Sequence, residues 1–199
     1  MKKEYNELQD TSHIKKKAKH TLILVPDNTD SETEERSDKI VSYAGKLIND
    51  GIIHNTTIIF GDQSKLLTDI TKPHKSRFLE TYFHYINIVN YVLDIQAFEG
   101  TENEETDIVD ELHIIDASHL IVGNEILKSK LSSDIETLND LLIDNGIQSC
   151  IYRSNSDNFI IINSVYSNVK AIMLEFNNIL SYSRVIHICD VIARWCCSN

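Results

Sequence analysis

Two prolines and six glycines in 199 residues leave little material for turns and linkers, so most of the chain is expected in regular elements. No run approaches the ~20 apolar residues a membrane span needs. The opening MKKEYNELQD is polar and has no apolar stretch behind it, so neither a membrane segment nor a secretory signal is expected. Four cysteines, Cys150, Cys189, Cys196 and Cys197, crowd toward one end, which suits neither a disulfide framework nor a zinc site. A reduced, intracellular setting is the expectation, nuclear or cytoplasmic.

Positive charge is also scarce. Nineteen Lys and Arg stand against thirty Asp and Glu, a net charge of -11, which globally repels nucleic acid and anionic membrane. The exception is residues 1–20, where six lysines face only Glu4, Glu7 and Asp10. This stretch reads as a basic flexible arm, and residues 21–199 as one α/β domain.

Phosphate-binding glycines are missing as well. The segment after the first expected strand reads Pro26-Asp27-Asn28-Thr29-Asp30, with no glycine to let backbone N–H groups wrap a phosphate and two carboxylates to repel it. Gly45-Lys46 lies inside a helical pattern, and no G-x-G-x-x-G occurs. Nucleotide hydrolysis is therefore not expected, and neither is any cofactor.

What is present is a β–α–β opening. Residues 21–25 (TLILV) form a short branched-apolar run that reads as a buried strand. Ser31-Glu32-Thr33-Glu34 has capping-box spacing, Ile40, Val41, Ala44, Leu47 and Ile48 recur at helical spacing, and residues 55–60 (NTTIIF) read as a second strand. Short connections favour parallel pairing. Further on, residues 65–70 read as a short helix, 85–89 as a strand, and 93–98 as the start of a helix. Residues 99–111, with seven acids, read as a loop. Residues 112–115 (LHII) read as a strand ending in Asp116. Leu127, Leu131, Ile135, Leu138, Leu141 and Leu142 mark a long helix stopped by Asn145-Gly146. Strands follow at 148–152 and 158–163, and then a final helix with Val185, Ile188, Cys189, Ile192, Trp195 and Cys196 on one face.

Candidate chemistry is thin. His113, Asp116 and His119 do not make a metal site on an extended strand, because parity places Asp116 opposite the two histidines. His187 and Cys189 are two apart on a helix and do not face each other. Ser118 and Ser164 lack a nucleophile-elbow setting. No catalytic or metal-binding residue is expected from these. Basic residues offer DNA contacts at Lys15, Lys16, Lys17 and Lys19 in the arm, and at Lys72, Lys75 and Arg77 beside Phe78. Val191 and Trp195 on the last helix either pack in the core or anchor a partner groove.

LILVPD, NTTIIFGD, NIVNYVLDIQAF and ELHIIDAS fall where a RecA-like fold places its first strand, second strand, mid-domain segment and Walker B strand. In layout the chain resembles the RecA-like recombinase paralogues without a P-loop, in particular the smaller RecA-like subunit of the yeast Shu complex. The resemblance implies a mainly parallel sheet flanked by helices and a non-catalytic adaptor in homologous-recombination DNA repair. Its implied partners are another RecA-like subunit and a recombinase, with DNA bound through a local basic patch. Residues 181–184 (SYSR) offer one Arg where such proteins carry a basic loop. Alternatives are a pseudo-ATPase subunit of an assembly such as Elongator, and a roadblock- or longin-type scaffold with an antiparallel sheet. A further alternative is a small magnesium-dependent enzyme built on Asp27, Asp62 and Asp116 at strand ends.

Overall fold

In the computed structural model, residues 19–26, 34–61, 84–85, 88–100, 110–116, 119–122, 125–128, 132–153 and 170–198 are described. The described strands are β1 (His20–Pro26), β2 (Asn55–Gly61), β3 (Tyr91–Phe98), β4 (Leu112–Asp116), β5 (His119–Val122), β6 (Glu125–Lys128), β7 (Ser149–Arg153) and β8 (Lys170–Asn177). The helices are α1 (Glu34–Gly51), α2 (Ser132–Asp144) and α3 (Tyr182–Ser198).

Six strands form one sheet in the order β2-β1-β3-β8-β4-β7, and β5 and β6 form a separate hairpin-like pair. β2, β1, β3 and β8 run parallel to their neighbours. β4 joins β8 antiparallel, and β7 lies parallel to β4. The sheet is thus mostly parallel with one reversal, and the expected α/β class holds at that level.

Alternation along the strands splits the sheet into two faces. On one face Ile23, Leu93, Ile95, Ile114, Ile172, Leu174 and Phe176 pack against Ile40, Ala44 and Ile48 of α1, Leu138 and Leu142 of α2, and Ile188, Ile192 and Trp195 of α3. All three described helices therefore cover this face. Gly45 lets α1 lie close to β1, since a Cβ there would stand 2.5 Å from Val25 Cγ2. α2 stops at Gly146, whose positive φ of 71° suits a left-handed helix end. There the Ile147 N–H donates back to the Leu142 carbonyl at 3.0 Å.

Several expectations are corrected. Residues 93–98 belong to strand β3 and do not start a helix, and His84 and Tyr85 are helical, not part of a strand. The long helix begins at Ser132, and Leu127 sits in strand β6. β8 has no counterpart in the sequence reading. Its Ala, Met, Leu and Glu favour helix in isolation, and its place between β3 and β4 decides otherwise. The strand expected at 158–163 and the helix at 65–70 lie outside the described residues.

The reversal at β4 also undoes the Walker B comparison. Asp116 ends a strand antiparallel to β8, so it lies at the sheet edge opposite the carboxyl ends of β1 and β2. Asp27 and Asp62, which directly follow those two strands, are outside the described residues. The three-acid magnesium site nevertheless fails, because Asp116 is at the wrong edge. A roadblock or longin sheet is likewise not formed, since the central described strands pair in parallel.

Candidate functional site

The second face of the sheet carries a run of polar side chains where β3 and β8 end and β4 begins. Parity places Asp94, Gln96 and Phe98 of β3, Glu175 of β8, His113 of β4, and Cys150 and Tyr152 of β7 on this face. Carboxyl ends of parallel strands are where open α/β sheets commonly bind ligands.

Asp94 is 1% exposed on the central strand β3. A buried carboxylate needs hydrogen-bond partners, and the Gln96 Nε2 donates to its Oδ2 at 3.1 Å. Gln96 and Glu175 are register partners across β3 and β8, so their side chains leave the sheet together. Glu175 and His113 are register partners across β8 and β4. His113 Nδ1 lies 3.4 Å from Glu175 Oε2, and Nε2 lies 3.6 Å from Asp110 Oδ2. The ring stacks on Phe98 with centroids 3.6 Å apart and planes 11° from parallel. Tyr152 meets it from the β7 side, 4.3 Å away and tilted by 48°.

Asp110 is itself held from β7. The Cys150 thiol donates to Oδ1 at 3.2 Å and the Tyr152 hydroxyl to Oδ2 at 3.4 Å. Burial, and then the neighbouring Asp110, push the Cys150 thiol up from its usual range, which leaves it a poor nucleophile. The Tyr152 hydroxyl is pushed up for the same reasons in the same order.

Backbone at the rim is fixed by Asn177, which is fully buried. Its Nδ2 donates to the Asp110 carbonyl at 2.8 Å, and its Oδ1 accepts from the Ile179 N–H at 3.1 Å. Gly100 lies against this amide, and a Cβ there would collide with the Asn177 side chain. Below the rim, Arg184 of α3 clasps Glu111 through Nε and Nη2 and also reaches the Gly146 carbonyl. Burial, the largest single influence, raises the Glu111 carboxyl, but the Arg184 hydrogen bonds, the Gln148 backbone N–H and the charges of Arg184 and His187 together outweigh it and hold the group below its ordinary range.

Of the residues singled out in the sequence, His113 belongs to this cluster, but with Asp110 and Glu175, not with Asp116 and His119. His119 lies on β5 in the separate two-stranded sheet. Lys19 donates from Nζ to the Cys197 carbonyl at 3.3 Å, joining the start of β1 to the end of α3. Lys15, Lys16, Lys17, Lys72, Lys75, Arg77, Ser118 and Ser164 lie outside the described residues. Val191 and Trp195 are 0% and 2% exposed, inside the core of this chain, with Trp195 edge-on to Tyr91 at 5.7 Å. Asp94, Gln96 and Glu175 were missed because β3 and β8 were not read as neighbouring strands. The available signal was polar residues set singly into apolar runs, Asp94 and Gln96 in VLDIQ and Glu175 in IMLEF.

No family model and no curated protein sequence matches the chain. Solved structures do. The D,L-carboxypeptidase Csd4 of Helicobacter pylori, bound to mDAP, superposes with a TM-score of 0.58 at 9% identity, over 92% of this chain and 51% of that one. A metallo-carboxypeptidase from Burkholderia cenocepacia gives 0.53 at 10% identity, over 93% and 57%. The catalytic domain of CwlV, an N-acetylmuramoyl-L-alanine amidase from Bacillus (Paenibacillus) polymyxa var. colistinus, gives 0.51 at 13% identity, over 89% and 95%. The chain spans about half the length of Csd4.

These neighbours are hydrolases. They overturn the resemblance to RecA-like recombinase paralogues, the DNA-repair adaptor role that rested on it, and the expectation of a non-enzyme. The Elongator and scaffold alternatives gain nothing from them either. One neighbour is a metallo-enzyme by name, which raises the question of a metal here. Among the described residues no three His, Cys, Asp or Glu side chains are placed to hold an ion. The nearest approach, Asp110–His113–Glu175, has both imidazole nitrogens already facing carboxylates. The described residues do not fit a metal ion.

Proposed function

We propose that the chain is an amide-bond hydrolase of the peptidase or amidase type, acting on short peptides such as the stem peptides of bacterial cell wall. The observation that carries this reading is the Gln96–Glu175–His113 row at the carboxyl ends of β3 and β8, in a fold shared with two carboxypeptidases and an amidase.

Glu175 is the proton acceptor in this reading. Its side chain is 25% exposed, open enough to meet a water and close enough to His113 to be held. Water attacks the carbonyl carbon of the amide as its proton passes to Glu175. The same proton then goes to the amide nitrogen as the C–N bond breaks, giving a carboxylic acid and an amine. Asp94 fixes the Gln96 amide beside Glu175, and in this reading that neutral group hydrogen-bonds the substrate backbone.

The test is to incubate the full chain, with and without added divalent cations, with tripeptide and pentapeptide stems and with N-acetylmuramoyl peptides. Products are read by mass spectrometry. Release of a terminal amino acid assigns a carboxypeptidase, and release of an intact stem peptide assigns an amidase. Intact substrates throughout the panel contradict the reading.

A further inference from the structure

We propose that His113 is a positioning residue for Glu175, and that Asp110 with its β7 partners fixes His113 in turn. The proposal rests on the reading of Glu175 as proton acceptor. It follows from where the sheet reverses. Parallel neighbours stagger their side chains, whereas directly opposed residues of an antiparallel pair bring their Cβ atoms to about 4.5–5.5 Å. Because β4 runs against β8, His113 stands directly opposite Glu175.

The ring is constrained on every side given by the described elements. Phe98 covers it from β3 and Tyr152 leans on it from β7. Glu175 faces Nδ1 from β8, and Asp110 faces Nε2 from the residues leading into β4. The Cys150 thiol and Tyr152 hydroxyl both donate to Asp110, so its oxygens are held from β7 independently of His113. At 15% exposure the imidazole has little freedom to turn away. A neutral imidazole has one N–H and so serves one of the two carboxylates, while a doubly protonated ring serves both. With a hydrogen on Nδ1, the nitrogen 3.4 Å from Glu175, the ring orients Glu175 Oε2 and leaves its other oxygen to accept a proton from water. The chain of contacts therefore runs Cys150 and Tyr152, Asp110, His113, Glu175, across three adjacent strands.

Two measurements on the full-length protein test this. The first is the downfield imidazole N–H region of the proton–nitrogen NMR spectrum of histidine-labelled protein, without substrate. A ring N–H held by a carboxylate is sheltered from exchange with water, so the His113 signal is expected in the wild type and expected to vanish in Glu175→Gln. The second is the kinetics of His113→Phe, which keeps an aromatic ring against Phe98 and removes both nitrogens. It is expected to lower kcat about 100-fold, the size of effect a small misplacement of a reacting group produces, with KM within about twofold of wild type. A spectrum unchanged by Glu175→Gln, or wild-type kcat in His113→Phe, overturns the proposal. Absence of turnover in every form, with the spectral change present, counts against the hydrolase reading and supports the His113–Glu175 contact.

Discussion

His113 and Glu175 face each other across the one antiparallel seam among the described strands of the large sheet, with imidazole Nδ1 3.4 Å from a carboxylate oxygen. Neither residue is near the other in sequence, and the seam alone brings them together. The same reversal sends Asp116 to the far edge, so one topological feature both builds the cluster and dismantles the acid triad that the sequence suggested.

Helix α1 rests on β1 through Gly45, and that contact has a measurable cost of disruption. Gly45→Ala adds a methyl 2.5 Å from Val25 Cγ2, a side chain only 1% exposed. Overpacking of this kind costs about 1–3 kcal/mol, partly offset by the ~0.5–1 kcal/mol by which Ala favours a helix over Gly. Urea unfolding is expected to show net destabilisation. A variant as stable as wild type or more so would show that α1 shifts freely over β1.

Trp195 is core. With 2% exposure and an edge-on contact to Tyr91, Trp195→Ala is expected to cost about 3–5 kcal/mol. Circular dichroism during denaturant unfolding measures it. A loss below about 1 kcal/mol would contradict the packing described.

Stability should fall in two steps as pH is lowered. His20 and His54 sit at the start of β1 and just before β2, bonded to Thr57 and Thr21. Burial depresses both below the usual 6.5, helped at His54 by Lys19 and His20. The unfolded chain therefore takes up these protons first, and stability declines as pH drops below about 6.5. Glu111 is also held below its ordinary 4.5. Its contribution is complete above that value and is lost as pH falls through its folded-state value. Denaturation midpoints at pH 8, 6 and 4 are expected to decrease in that order, with His54→Gln flattening the first step and Glu111→Gln the second. A midpoint constant from pH 8 to 4 would contradict both assignments.

The four thiols should separate by reactivity. Cys189 and Cys196 are buried, and burial raises both, Cys196 to about 12. Cys150 and Cys197 are partly exposed. Ellman's reagent on the native protein is expected to modify Cys150 and Cys197, with Cys150 slowed by Asp110. The other two should react only on unfolding, and prompt reaction at four sites would contradict the burial.

The legible part of the fold was the part written in local pattern. TLILV, NTTIIF and LHII alternate or run apolar between turn residues, and each became a strand. Asn145-Gly146 marked the end of α2. β3 and β8 were illegible for one physical reason. Both are central strands whose buried positions fall on the two faces, so apolar residues run without a period-2 signal, and helix-favouring residues such as Leu, Ala, Gln and Met sit among them. Strand direction was illegible too, since nothing local in LHIID says that it runs against β8. The candidate site depends on both, so Asp94, Gln96 and Glu175 emerged only with the sheet order. His113 stood out in the sequence, but its partners there were the wrong ones.

In the proposed hydrolase reading Glu175 accepts the proton of the attacking water, and Glu175→Gln keeps the size of the side chain while removing that acceptor. Wild type and variant are compared on whichever stem peptide the wild type cleaves, with unfolding midpoints measured in parallel. A loss in kcat of about 100-fold or more is expected, the scale of general-base catalysis, with an unfolding midpoint close to wild type. Turnover by Glu175→Gln equal to wild type would contradict it.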